Sequence, residues 1–481
     1  MNRQMFPEFS TEAFPRMFEK IIRHIAFPVK ERLGNRKELP ELFRSMLKTQ
    51  YWAQERIRLL QTRKLKHLLI HAFERSDYYR NQFDQSDFNP YHFDELSQIK
   101  KIPILTKRDL KENLADILDK TKCDPIQLKQ DHCRDNLFHS VSGGTTGPSI
   151  DVFNDQHSLT EKVAAQLRFD SWSGWRIGDW FGLIWPAVVD HHDPKKKFKS
   201  QLKNYLYDRI IALQQTTIEE SHFKAFFSEL RRRKATLIRG FPYQVVEGAA
   251  YCNAHHLRFS SLKGLITTGE PLYPNQRKEI ESAFSCKVFD SYRTREVGCV
   301  AQECEEHNGY HISADTVYIE TAPVDEGSSL RQRAPSHQKL LVTDLTNFSA
   351  PLIRYEIGDV GSISEHGCPC GRGLPLLCDI GGRISDLLFT PEGNKVSPVT
   401  VIPNLFHLIG IMNQFQIIQD SYNHITIKLV KPAPENTLIE LQKENIMKIF
   451  GTEMKVSYKL VDQIEPLASG KYSFVISKIR N

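Results

Sequence analysis

The chain has no apolar run approaching the ~20 residues that a membrane span takes. Its opening stretch, MNRQMFPEFSTEAFPRMF, has no apolar core followed by small residues, so no signal peptide is expected and the cytosol is the expected compartment. It has no heptad repeat, no zinc-finger spacing of the DNA-binding kind and no RNA-recognition signature, and the net charge is only +6. Nucleic acid is therefore not an expected partner. The sharpest basic run, Lys195-Lys196-Lys197 with Lys199 and Lys203, reads first as a solvated loop and helix start rather than a nucleic-acid or lipid patch. Nine cysteines, an odd number in a chain without an export signal, argue against a disulfide framework. Cys123, Cys133, Cys252, Cys286, Cys299 and Cys378 are scattered and read as small buried residues.

What is present is an ordinary globular composition, 40% hydrophobic and 25% charged, over 481 residues. Single cores stop growing at about 250–300 residues, so two or three domains are expected. Residues 1–110 read as mainly helical; LKHLLIHAFERSDYYRNQF has helical apolar spacing, and Thr106 before Lys107-Arg108-Asp109 reads as a helix cap. From about 139 to 360 short apolar runs alternate with amphipathic helices: FGLIWPAVV, then ATLIRGF, LKGLITTG and KVFDSY, with Thr217 and Glu220 as a capping box before SHFKAFFSELRRR. That alternation predicts an α/β domain with mostly parallel sheets. The last hundred residues change pattern to β-β-α-β: QFQIIQD, HITIKLVK, TLIELQKENIMKIFG and MKVSYKLV. The expected architecture is a large N-terminal α/β domain, residues 1–382, of several subdomains, with a small α+β domain, residues 383–481, joined at Gly381-Gly382-Arg383.

The strongest local signal is Ser140-Val141-Ser142-Gly143-Gly144-Thr145-Thr146-Gly147. Three glycines free the backbone N–H groups to approach a ligand, and Ser142, Thr145 and Thr146 add hydroxyl donors, a nest suited to a polyphosphate. It lacks the Gly-Lys-Ser/Thr ending of a Walker A loop. Further along come Thr267-Thr268-Gly269-Glu270-Pro271, Asp290-Ser291-Tyr292-Arg293-Thr294-Arg295-Glu296, Pro351-Leu352-Ile353-Arg354-Tyr355-Glu356-Ile357-Gly358-Asp359, Gly382-Arg383-Ile384-Ser385-Asp386 and Gly470-Lys471. Taken alone, Asp359 after a glycine reads as an exposed turn residue and Lys471 as part of an exposed turn.

These six elements, in this order, resemble the adenylate-forming superfamily and within it the phenylacetate–CoA ligase family, in the branch found with capsule polysaccharide synthesis; YYRNQF and SWSGWRIGDW match that branch as well. The resemblance covers nearly the whole chain and implies an AMP-forming ligase that activates a carboxylic acid as an acyl-adenylate, with ATP, Mg²⁺ and an acyl acceptor, CoA or another nucleophile. It implies that Ser142, Gly143, Gly144, Thr145, Thr146 and Gly147 hold the phosphates. Gly269, Glu270 and Pro271 would line the adenine, Tyr292 would stack on it, and Thr294 would lie beside it. Glu296 would ligate Mg²⁺ as a hard carboxylate, Asp359 would accept from both ribose hydroxyls, and Arg383 would touch the nucleotide at the hinge. Lys471 would reach the gathering negative charge at the α-phosphate. Three positions depart from the family pattern: Arg293 stands for the usual glycine, Arg295 for the hydroxyl residue before the glutamate, and Ser385 for the hinge aspartate or lysine. Arg293 also supports a rival reading, a catalytically inactive nucleotide-binding homologue. An amide- or ester-forming ligase in polysaccharide or secondary-metabolite synthesis is a second alternative. Whether the chain is a monomer or a homodimer is left open.

Cys304-Glu-Glu-His307-Asn-Gly-Tyr-His311 and Gly367-Cys368-Pro369-Cys370-Gly371 are two knuckles of soft ligands that fit a tetrahedral zinc site. A subset of the resembled family carries such a site, and the match is to Cys304, His311, Cys368 and Cys370, with His307 competing for the histidine position.

Overall fold

The computed structural model describes residues 19–122, 137–141, 150–185, 203–214, 219–323, 338–378, 380, 388–393, 395–396, 401, 415–430, 436–465 and 475–479. Among them two strands, β1 (Leu137–Val141) and β2 (Asp151–Asp155), form an antiparallel pair. Next in the chain are β3 (Phe181–Trp185), β4 (Ile210–Gln214), β5 (Leu237–Gly240), β6 (Gly264–Thr268) and β7 (Lys287–Thr294). They pair in parallel in the order β4-β3-β5-β6-β7. β5 and β6 are buried at every position, and helices Glu220–Arg232, Pro242–Ala254 and Pro274–Phe284 cover one face. Burial on both sides is why these strands read as unbroken apolar runs.

The same sheet continues antiparallel through β8 (Gly298–Glu303), β9 (Tyr310–Ile312), β10 (Val317–Ala322), β11 (Gln338–Asp344), β12 (Tyr355–Ile363) and β13 (Leu376–Cys378). The order beyond β7 is β8-β9-β13-β12-β11-β10, giving eleven strands in all. Three-residue β13 enters between β9 and β12, pairing Leu376 with His311 and Ser362 with Cys378. Helix Gln54–Arg75 lays Leu65, Leu68, Leu69 and Ala72 into the core beneath these strands; each buried leucine contributes about 1.5–3 kcal/mol. Thr106 caps its helix as expected, in a capping box with Asp109. The helix Glu220–Arg232 is instead capped by Glu219 with His222 at the third position, and Thr217 lies outside the described residues.

Near the C-terminus β16 (Phe415–Ser421), β17 (His424–Val430), β18 (Lys455–Val461) and β19 (Val475–Ser477) form a separate sheet in the order β18-β17-β16-β19, with helix Asn436–Phe450 ending at Gly451; the short pair β14 (Leu388–Phe389) and β15 (Lys395–Val396) precedes them. Phe415, Ile417 and Leu429 share an apolar cluster with Phe241, Tyr243 and Tyr273, which lie beside the C-terminal ends of β5 and β6.

Candidate active site and metal centre

In parallel sheets ligands gather at the C-terminal strand ends, and several of the residues singled out in the sequence meet there. β6 ends at Thr268, whose hydroxyl donates to the Ser291 carbonyl of β7 at 2.8 Å. Gly269 follows with φ +86°, and a Cβ there would stand 2.5 Å from Phe241 Cε1. Both backbone conformation and space therefore require glycine. Tyr292 leaves β7 and donates its hydroxyl to Asp359 Oδ2 across 67 positions of sequence. Thr294 Oγ1 accepts from Val297 N at 3.3 Å and holds the turn that carries Glu296, a buried carboxylate.

Asp359 is not an exposed turn residue. It lies inside β12 and is buried. The ladder between β11 and β12 slips between Lys339 and Leu341, and Gly358 opposite that slip has φ +88°. The glycine is thus the left-handed residue of a bulge that re-aims the strand. β12 itself is anchored from the N-terminal helices: Tyr79 donates to the Pro351 carbonyl at 2.8 Å and accepts from Ile353 N at 3.1 Å, and Glu356 N donates to the Leu105 carbonyl at 2.9 Å.

Arg293 turns away from Tyr292 toward helix Gln156–Trp172. Its guanidinium donates to Ser291 Oγ at 2.8 Å and Gln166 Oε1 at 3.1 Å, and lies 3.7 Å from Asp170. Arg239 of β5 also donates to Asp170. Burial lowers the Arg293 pKa from its ordinary value. Trp172 and Trp175 are core: Trp172 donates to Gln50 Oε1 at 2.8 Å and Trp175 to the Asp179 carbonyl at 3.1 Å. The loop Ser142 to Gly147, Arg383 and Lys471 lie outside the described residues.

One group was missed in the sequence. Asp290, the first residue of the Asp-Ser-Tyr element, accepts from Thr267 Oγ1 at 2.7 Å and Tyr310 OH at 2.8 Å. Its backbone N–H donates to Glu303 Oε2 at 2.9 Å, and Arg277 grips both Glu303 oxygens at 2.8 and 2.7 Å. Burial, then the neighbouring Glu303 charge, pushes the Asp290 carboxyl up to about 6. Arg277 fixes Glu303 as the anion, leaving Asp290 the harder one to ionise. The signal available was an acid directly after a buried apolar strand start.

Glu303 and Tyr310 stand immediately before Cys304 and His311. Those two residues meet Cys368 and Cys370, and the four ligand atoms lie within 4.8 Å of one another. Cys304 Sγ is 3.6 Å from Cys368 Sγ, and Cys370 Sγ is 3.2 Å from His311 Nε2. His311 Nδ1 faces the Leu374 carbonyl at 3.2 Å, which fixes that nitrogen as donor and leaves Nε2 toward the cysteines. Backbone N–H groups of Glu306 and Arg372 approach Cys304 and Cys370 sulfurs at 3.5 and 3.4 Å. Burial pushes the Cys304 thiol up and the His311 imidazole down to about 4, so the buried pair favours neutral forms in the absence of a cation. Three sulfurs and one imidazole nitrogen within reach of one point are a donor set for zinc. His307 points elsewhere, its Nδ1 3.2 Å from Glu303 and 3.3 Å from Arg277.

Comparison with known proteins fits this geometry. Residues 388–478 match the CapK C-terminal domain family. Upstream of that CapK C-terminal domain the likeness extends along most of the chain. Phenylacetate-coenzyme A ligase of Thermus thermophilus is 25% identical over 76% of this chain and 78% of its own length. The Escherichia coli protein of the same name is 25% identical, covering 86% of this chain and 89% of its own. Protein CapK of Staphylococcus aureus is 22% identical over 88% and 89%. Among solved structures, 2-hydroxyisobutyryl-CoA ligase in the postadenylation state superposes with a TM-score of 0.65 at 19% identity, covering 87% of this chain and 89% of that one. The chain is similar to the phenylacetate-coenzyme A ligases and to Protein CapK, and it has the fold of an adenylate-forming ligase. No helix among the described residues is long and apolar enough to cross a membrane.

Proposed function

We propose that this chain is an AMP-forming ligase that uses ATP to convert a carboxylic acid into its acyl-adenylate and then passes the acyl group to CoA. The observation that carries the reading is the Tyr292–Asp359 hydrogen bond beside glycine-requiring Gly269, at the C-terminal ends of the parallel strands. It joins three separately recognised elements in one place. Gly269, Glu270 and Pro271 would bound the adenine, with the Tyr292 ring against it. Asp359, already oriented by Tyr292, would accept the ribose hydroxyls, and the loop from Ser142 to Gly147 would wrap the phosphates. Glu296 would hold Mg²⁺ together with phosphate oxygens, neutralising charge on the leaving pyrophosphate. Attack of the acid's carboxylate oxygen on the α-phosphorus then expels pyrophosphate, and Lys471 would offset the charge that gathers there.

Residues 383–481 would act as a lid that turns about Arg383 between the two steps. Cys304, His311, Cys368 and Cys370 would hold zinc, which braces the strand ends and takes no part in the chemistry. The testing experiment is carboxylate-dependent pyrophosphate release from ATP across a panel of acids. Absence of pyrophosphate release with every acid of the panel, in folded protein that binds ATP, would favour the inactive homologue. A second reading, transfer to an amine or hydroxyl acceptor instead of CoA, is supported by the match to the CapK C-terminal domain. Acyl-adenylate that persists when CoA is added would favour it.

A further inference from the structure

The first described segment runs as a π-helical turn Ile22–Ala26 into the α-helix Phe27–Leu33. Its inner side is fastened to the body. Ile22 is buried, Arg23 donates to the Ile177 carbonyl at 2.9 Å and pairs with Asp179 at 3.1 Å, and Lys30 pairs with Asp208 at 3.1 Å. Its outer side carries Ile21, Ile25, Val29 and Leu33, spaced by four and exposed by 42%, 59%, 49% and 85%. Four aliphatics in one stripe roughly 18 Å long, at ~1.5 Å per residue, are unusual on a water-facing helix.

Basic charge predominates around the stripe, although Glu38 is exposed and Glu19 partly so. Lys20, His24, Arg32 and Lys37 are exposed with it. The acid within the segment, Glu31, is buried and held by Arg36 at 2.9 Å. Beside it lies the turn Asn204–Asp208, where Tyr205 and Tyr207 are exposed and the Lys30 ammonium sits 5.2 Å from the Tyr207 ring centroid. Lys203, the last of the lysine-rich run noted in the sequence, is exposed next to them. Aliphatic stripe, flanking cations and tyrosines with one apolar and one polar end are the parts of a helix that lies in a membrane interface.

We propose that this face, centred on Ile21, Ile25, Val29 and Leu33, docks on an anionic membrane surface. A second copy fits less well, since two such faces meeting would bring like charges within the ~8 Å over which salt fails to screen them. Nucleic acid has no use for the aliphatic stripe. An anionic bilayer satisfies both features, taking the side chains into the headgroup boundary and the cations onto lipid phosphates. The proposal is independent of the acyl-activating reaction.

The test is co-sedimentation of the full chain with phosphatidylcholine vesicles and with vesicles that also contain phosphatidylglycerol. Binding is expected to the second kind only and to weaken with added salt. Ile25→Asp with Val29→Asp, and separately Lys20→Glu with Arg32→Glu, should each lower vesicle affinity by at least about tenfold, with thermal unfolding unchanged because all four residues are exposed. Wild-type protein that stays in the supernatant with anionic vesicles would overturn the proposal, as would either variant binding as wild type does. A dimer that the aspartate variant dissociates, without vesicle binding by the wild type, would assign the stripe to a second copy instead.

Discussion

The two halves of the eleven-stranded sheet are built to opposite rules. The parallel half, β4-β3-β5-β6-β7, is mainly apolar through its middle, with Arg239 and Asp290 as buried charged exceptions, and places Gly269 and Tyr292 at the strand ends. The antiparallel half carries polar and charged side chains inside. Gln302, Glu303, Glu320 and Asp344 are buried, and Glu320 is paired with Arg354 at 3.2 Å and Asp344 with Lys162 at 2.7 Å. A core of the first kind is held by area; one of the second depends on each group keeping its partner. The candidate nucleotide site is assembled from both, since Tyr292 comes from the one and Asp359 from the other.

The largest effect should come from opening the Cys/His cluster, which belongs wholly to the antiparallel half. Protein prepared without chelator should carry one equivalent of zinc by metal analysis. Cys368→Ser should lower thermal stability by several kcal/mol, given the ~10–16 kcal/mol with which structural zinc sites bind, while nucleotide affinity in the surviving folded protein changes less. Protein free of zinc would remove the metal from the account. Next is Lys471→Ala, a position that follows both halves in the sequence: pyrophosphate release should fall by about 10²–10³, the usual loss for one charge-stabilising donor, with ATP still bound in calorimetry. A variant with wild-type release would take Lys471 out of the site.

Asp359→Ala sharpens the comparison because it leaves the parallel half intact. ATP and AMP should both bind more weakly by about 1.5–3 kcal/mol, the range for hydrogen bonds to a charged group. Since Asp359 is buried within β12 and accepts from Tyr292, some loss of stability should accompany it. Unchanged ATP affinity would mean that the nucleotide site is misplaced.

The smallest effect is a slope. The Asp290 carboxyl is raised from an ordinary value of 3.8 to about 6 in the folded chain. The folded state therefore holds this proton more tightly than the unfolded one, and the stability it contributes is complete below about pH 4 and lost as pH climbs through about 6. Asp290→Asn should flatten the pH dependence of unfolding across that window; an unaltered profile would place the ionised form in the folded state.

Four of the five parallel strands were legible because burial on both faces writes them as continuous apolar runs, and their boundaries came within a few residues; β4, Ile210–Gln214, at the edge of the sheet and alternating in burial, was not read. The antiparallel ones were not. A strand holding Gln302 and Glu303 reads as surface until Arg277 and the Phe169 carbonyl are known to be their partners. Asp359 was found but misplaced, because a glycine before an acid is the same signal for a turn and for a bulge, and only the slipped register separates them. His307 and His311 could not be told apart by spacing. Pairing of His311 with Leu376 across two strands settles their positions, turning His311 inward while His307 sits at φ +51° outside β9. Arg293, a departure from the resembled family, has a local account in Gln166 and Asp170.

Among the described residues, three-residue β13 is the only strand joining the block β10-β11-β12 to the rest of the sheet, and two paired positions on either side hold it. A seam that narrow is where the sheet is expected to part if it opens in units, against the apolar cluster that Ala301 and Ile312 share with Val342 and Tyr355 across it. In hydrogen–deuterium exchange the amides of β11 and β12 should then be released together, at a lower free energy than those of β5 and β6. The span from Cys304 to Cys370 crosses that seam, so a metal ion held by Cys304, His311, Cys368 and Cys370 would draw the two exchange rates together.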